Sequence, residues 1–285
     1  MNLHTFAFGG GHRSAEQNRE DHQGRFQRRF GPGFDLTVVA VTGLTPRMRR
    51  ISLIGDDLAR LDWVPGQDLV LELPLPGGER AGRHYTIRRF DPLELRIDID
   101  LVLHGAGASG QWLAGAQPGE RVRAFGPRGR TRVSPTARRH LFVGDETAIP
   151  AIFAMAETLL RGAEGLALIE IRDEAEIQPL VTPADVTVEW RSRGPVPGAD
   201  SRLNFDRLLA LGPDPRWTHA YVLGETGQVR AQRHALMAMG FDRAQITAEG
   251  YWRPGRIGGH DHIIEPDFGF AGNSRRLRRW ARAEG

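Results

Sequence analysis

The chain has 285 residues, 40% of them hydrophobic, and a formal net charge of +3, which predicts about two packed domains and only a weak general pull on anions. It has no cysteine, and all 38 of its basic side chains are arginine; this excludes disulfides, cysteine-held zinc or iron–sulfur centres, cysteine nucleophiles, Schiff-base lysines and a P-loop. No run of about 18 apolar residues and no charged-then-apolar leader is present, so a cytoplasmic protein without a membrane partner is expected.

Residues 1–34 are rich in Gly, Arg, Gln and Glu, with Gly9-Gly10-Gly11 and no sustained period. They predict a flexible N-terminal extension. His4, His12 and His22 are scattered through it without metal-ligand spacing. From residue 35 the pattern changes to short β-like runs at 36–41, 48–54, 68–73, 84–89, 93–103 and 121–125. Gly and Pro clusters such as Val64-Pro65-Gly66 and Gln117-Pro118-Gly119 separate them. Short strands so spaced predict a six-stranded antiparallel barrel over 35–136.

Within the fourth run stands Arg83-His84-Tyr85-Thr86. On a strand Arg83 and Tyr85 share a face, and Thr86 points away unless the strand bends or the ligand is long. Arginine matches phosphate oxygens in bidentate fashion, a tyrosine ring stacks on a heterocycle, and a threonine hydroxyl bonds a ring nitrogen. That set points to a flavin dinucleotide, with an ordinary edge strand as the alternative. Further on, the small-residue loop 105–110 leads into helical turns at Gln111-Trp112-Leu113-Ala114. Its backbone amides suit a pyrophosphate, and a plain connection explains it equally.

After a linker at Ser134-Pro135-Thr136, residues 137–255 alternate strands with helices. Strands are predicted at 140–144, 166–171, 186–190, 220–223 and 246–250, with one helix from Ile149 to Leu160 and another through Val229, Leu236 and Met239. Such alternation predicts a parallel sheet that binds its ligand at the strands' carboxyl ends, marked by Gly144 and Gly224. No Gly-x-Gly-x-x-Gly occurs in this half. The turn Gly144-Asp145-Glu146-Thr147 therefore reads either as part of a dinucleotide site or as a helix cap made by Asp145 or Thr147. The C-terminal segment 256–285 carries His260 and His262 without a third ligand, so no metal site is expected, and a short basic helix near 274–282. A solvated surface helix is the expectation there, without nucleic-acid binding.

Seven phrases stand in order: Pro46-Arg47-Met48-Arg49-Arg50, the run 83–89, the run 98–104, Gly126-Pro127-Arg128-Gly129, Gly144-Asp145-Glu146-Thr147-Ala148 with Pro150, Gly224-Glu225, and Gly250-Tyr251-Trp252-Arg253. Together they resemble the siderophore-interacting protein family, from about residue 34 to about residue 255. The resemblance implies a ferredoxin-reductase-like fold, β + α/β: an FAD-binding antiparallel barrel, then a parallel α/β NAD(P)H-binding domain. It implies a ferric-siderophore reductase using FAD and NAD(P)H, with a ferric siderophore as partner, and a monomer is expected.

The same resemblance assigns residues. Arg83 would hold the FAD phosphates, Tyr85 would stack on the isoalloxazine and Thr86 would reach its reactive edge, with His84 grouped beside them. Asp100, Val102 and His104 would line the FAD site, and Gly107, Ala108 and Ser109 would wrap the pyrophosphate. Asp145, Glu146, Thr147, Glu225 and Trp252 would border the nicotinamide cleft. Asp173 and Glu174 favour NADH, whereas Arg172, Arg191 and Arg193 favour NADPH, and the choice is open. A flavin-linked reductase serving a protein partner, or a siderophore-binding protein without cofactor, are the competing readings.

Overall fold

The computed structural model describes residues 24, 26–74, 80–103 and 108–255. Alternation of apolar and polar side chains builds the first half. Strands β1 (Gly33–Thr45), β2 (Met48–Ile54), β3 (Asp68–Pro74), β4 (Arg80–Asp91), β5 (Arg96–Val102) and β6 (Arg121–Arg128) close a barrel in the order β1-β2-β5-β4-β3-β6. All neighbouring pairs are antiparallel. Ile97, Ile99 and Leu101 of β5 meet Leu69, Leu71 and Leu73 of β3 in its core, while Asp98 and Asp100 leave the other face. Strand β5 starts at Arg96 rather than at residue 93 because Asp91 Oδ1 accepts the amides of Leu93 and Glu94, at 3.0 and 3.1 Å, and closes a turn. Helix α1 (Ala108–Gly115) precedes β6.

The expected flexible extension over 1–34 does not hold for its last part. Residues 26–30 form a helical turn. The Phe26 ring lies 5.3 Å from Phe125 and 5.2 Å from Phe30, which meets His84 edge-on at 6.0 Å. Two aromatic rings four apart on one helical face suffice to fix this turn on the barrel. His4, His12 and His22 lie outside the described residues.

Strands β7 (Arg139–Asp145), β8 (Glu164–Ile171), β9 (Asp185–Ser192), β10 (Thr218–Glu225) and β11 (Ile246–Trp252) form a parallel sheet ordered β11-β10-β7-β8-β9. Helices α2 (Ile149–Ala156), α3 (Leu203–Leu211) and α4 (Thr226–Ala238) cross over between strands. One apolar layer gathers Phe142, Ile152 and Tyr221 with α2, and the opposite layer gathers Val143, Leu168 and Val222 with α3 and α4. Helix α2 ends before Leu160, which is 81% exposed.

Barrel and sheet share a packed seam. Met48 and Val102 of the barrel enter the core that contains α2. Arg88 of β4 makes two bonds to Glu157, at 2.7 and 2.5 Å, and its guanidinium lies 5.7 Å from the Phe153 ring centre. Thr131 donates to Glu249 of β11 at 2.6 Å. Among the described residues no helix is long and apolar enough to cross a membrane, and no group of three acidic or imidazole side chains could hold a metal ion. His260, His262 and the basic stretch 274–282 lie outside the described residues.

Candidate functional site

Antiparallel register decides which β4 side chains act together. Arg83 and Tyr85 oppose Leu71 and Leu69 of β3, whereas His84 and Thr86 oppose Val70 and Asp68. Opposed residues share a face, so Arg83 and Tyr85 leave one side and His84 and Thr86 the other. The Tyr85 ring is backed by the barrel core and stays partly exposed. Arg83 is also partly exposed and donates to the Gly82 carbonyl at 3.0 Å.

His84 departs from its grouping with the cofactor residues. Its Nδ1 lies 2.6 Å from Asp68 Oδ2, beside Phe30. One step out of phase with Arg83 and Tyr85, it faces a buried acid and the N-terminal helical turn. Thr86 is buried as well, with Tyr251 of β11 beside it. Burial, reinforced by Glu249 and Asp68, holds the Tyr251 phenol well above its ordinary range. The phenol therefore stays neutral, at the place where the flavin-type strand meets the parallel sheet. Tyr251 was not singled out as a site residue from the sequence, although the phrase Gly250-Tyr251-Trp252-Arg253 contains it.

Asp100 and Val102 also depart from expectation. They leave the outer face of β5, against the seam. Asp100 accepts two bonds from Arg50, at 2.7 and 2.8 Å, and has Arg88 3.8 Å away; its carboxylate is an ion-pair member rather than an open ligand. Val102 packs into the second core. His104 and Gly107 lie outside the described residues, and Ala108 and Ser109 form the first turn of α1. The donor set fits a flavin dinucleotide: a partly exposed arginine, a ring with one backed side, and a helix N-terminus after the neighbouring strand.

At the carboxyl ends of β7, β10 and β11 the predicted residues meet in one knot. Asp145 Oδ1 accepts the Thr147 amide at 2.8 Å and the Thr147 hydroxyl at 2.5 Å, which is the helix cap. Its Oδ2 accepts the Glu225 amide at 2.9 Å and the Trp252 indole at 2.8 Å. Desolvation, with Glu146 adding repulsion, pushes this carboxyl above its usual range against the pull of those bonds. The knot explains Gly224, whose φ is +123° and where a Cβ would stand 2.6 Å from Asp145 Oδ2. Only glycine fits there.

Neighbouring side chains are equally committed. Glu225 caps α4 by accepting the Gln228 amide at 2.7 Å. Glu146 is held bidentately by Arg193, whose Nη1 lies 2.6 Å from Oε2. Partners 47 residues apart leave no local signal. What this edge of the sheet offers a nucleotide is therefore backbone and shape, with the carboxylates spent on holding the strand ends in place. That arrangement fits a nicotinamide nucleotide lying across the carboxyl ends.

Two family descriptions match the chain: a siderophore-interacting FAD-binding domain over residues 74–131, and a siderophore-interacting protein domain over residues 137–255. A siderophore utilization protein from T. fusca is 33% identical and superposes with a TM-score of 0.72, covering 80% of this chain and 95% of its own. Ferric vibriobactin reductase ViuB of Vibrio cholerae is 27% identical over 234 residues, 75% of this chain and 86% of the reductase. The NADPH-dependent ferric-chelate reductase of Escherichia coli is 27% identical over 240 residues, 76% of this chain and 92% of its own. With a ferredoxin-reductase-like barrel and parallel sheet carrying these sequences in this order, the chain belongs to the siderophore-interacting protein family.

Proposed function

We propose that the protein is an FAD-dependent ferric-siderophore reductase that takes electrons from NAD(P)H and releases iron as Fe(II). Residues 35–136 are assigned as the FAD-binding domain and 137–255 as the NAD(P)H-binding domain. The observation that carries the reading is the packed seam, where Tyr251 of β11 lies beside Thr86 of β4, Arg88 of β4 holds Glu157 and Thr131 donates to Glu249 of β11. It joins the strand bearing Arg83 and Tyr85 to a strand at the ligand edge of the parallel sheet. Hydride transfer requires reacting atoms about 3–3.5 Å apart, so a flavin strand and a nucleotide edge must meet in this way.

Bound FAD supplies the conversion between the two electrons of a hydride and the single electron that ferric iron accepts. The protein's own groups bind and orient. Arg83 pairs with phosphate oxygens, Tyr85 offers its ring for stacking, and Thr86 presents its hydroxyl at the seam, beside Tyr251. The Asp145 knot keeps the ends of β7, β10 and β11 in register beside them. Iron is substrate: it arrives with its chelator, and reduction weakens the hold of hard oxygen ligands. The electron donor places the reaction in the cytoplasm, the compartment that supplies reduced nicotinamide nucleotides.

Arg83→Ala and Tyr85→Ala test the assignment. A lost charge-assisted contact costs about 1.5–3 kcal/mol, so R83A is expected to hold FAD roughly tenfold to a hundredfold more weakly and to purify with little flavin. Unchanged flavin content in both variants would sink the site.

A further inference from the structure

The carboxyl ends of β8 and β9 hold two arginines that the fold does not use. Strand β8 follows β7 in the chain and lies beside it in the sheet. In parallel nucleotide-binding sheets, the end of this next strand faces the adenosine ribose, where an acid bonds the 2′-hydroxyl or an arginine takes a 2′-phosphate.

The charged residues here divide by what already engages them. Asp173 spends its Oδ1 on the Ala175 amide at 2.9 Å, as the cap of a short turn in which Glu174 stands. Arg193 is 9% exposed and committed to Glu146, with Glu170 3.9 Å away. Arg207 takes both oxygens of Glu189, at 2.7 and 2.6 Å. That leaves Arg191 with Glu189 only at 3.9 Å, and its Nε is buried without a hydrogen-bond partner among the described residues. Arg172 is partly exposed, and its guanidinium has no partner among the described residues.

The two stand at neighbouring strand ends. Glu170 and Arg191 are register partners across β8 and β9, and Arg172 is the residue just beyond the end of β8. The Ser192 hydroxyl donates to the Arg172 carbonyl at 3.2 Å, and the Arg193 amide to the Ile171 carbonyl at 3.0 Å, which pins the two strand ends together. Two guanidinium groups at one pinned edge, one without a partner among the described residues and one only loosely paired, suit a single dianionic monoester, which carries about −1.5 to −2 charges near neutral pH.

We propose that Arg172 and Arg191 form the seat of the 2′-phosphate of NADPH and make the protein selective for NADPH over NADH. The proposal rests on the reductase reading, which requires a nicotinamide nucleotide without specifying this one.

Calorimetric titration of the full-length, FAD-loaded protein with three adenosine phosphates tests it. The probes are adenosine 2′,5′-bisphosphate, its 3′,5′ isomer of equal charge, and 5′-AMP. The 2′,5′ compound is expected to bind at least about tenfold more tightly than either of the others, the scale of one or two charge-assisted contacts. Arg172→Gln and Arg191→Gln should each remove most of that advantage and leave 5′-AMP binding unchanged. R172Q alters a partly exposed side chain without a structural partner, so its fold should persist even if R191Q does not. Equal affinity for 2′,5′-bisphosphate and 5′-AMP, equal affinity for the two isomers, or an R172Q protein that keeps the full preference would each overturn the seat. Failure of all three compounds to bind would overturn the reductase reading with it.

Discussion

Asp145 accepts four hydrogen bonds from three separate stretches of chain. Its role is to hold the turn after β7, the start of α4 and the indole of Trp252 in one place. Asp145→Ala should leave enclosed donors without acceptors, at a cost of about 2–4 kcal/mol. Chemical denaturation would register it as a lower midpoint at unchanged slope. His219 carries a second residue-scale expectation. Burial, with His140 close by, pulls its imidazole down to about 4, and it is bonded to Thr247 at 2.9 Å. A histidine with a depressed folded pKa is neutral in the native state. Its contribution is therefore complete above the unfolded value near 6.5 and is lost as the pH falls from there towards 4. Burial lowers His140 in the same direction. Allowing for partial exposure, about 1–2 kcal/mol should disappear between pH 6.5 and 4.5. In His219→Gln that part of the acid sensitivity should be missing from melts across this range.

At the scale of elements, strands were legible and committed side chains were not. The alternation in 95–101 is the alternation of β5, and the Gly-Pro clusters fall between the strands as turn chemistry requires. Helix α3 carries a weaker signal, because only Asn204 and Leu208 of its residues are buried. The helical turn at 26–30 escaped notice because it is fixed by rings from distant strands. In the site, residue type announced Arg83 and Tyr85. The roles of Asp100, Asp145, Glu146 and Glu225 depend on partners supplied by the folded chain, and spacing says nothing of an arginine 50 residues away. Gly224 at the end of β10 is the element most exposed to a single change. Gly224→Ala combines a φ of +123° with a contact of 2.6 Å to Asp145, so a loss of at least about 2 kcal/mol is expected. A variant as stable as the parent in thermal melts would contradict the tight knot drawn at this edge.

For the whole molecule, the seam matters more than either half. A barrel alone holds Arg83 and Tyr85, and a parallel sheet alone holds the strand ends. Only their packing sets Tyr251 against Thr86, Arg88 against Glu157 and Thr131 against Glu249. Electron transfer from a nucleotide on one side to a flavin on the other requires that seam to be rigid. The claim is tested most directly by the visible spectrum of the purified protein, followed anaerobically through addition of NADPH or NADH and then of a ferric siderophore with an iron(II) trap. The account predicts a flavin band that bleaches with the nucleotide and returns as trapped iron(II) accumulates. A colourless protein that takes up no added FAD, or a reduced flavin that ferric siderophores leave bleached, would contradict it.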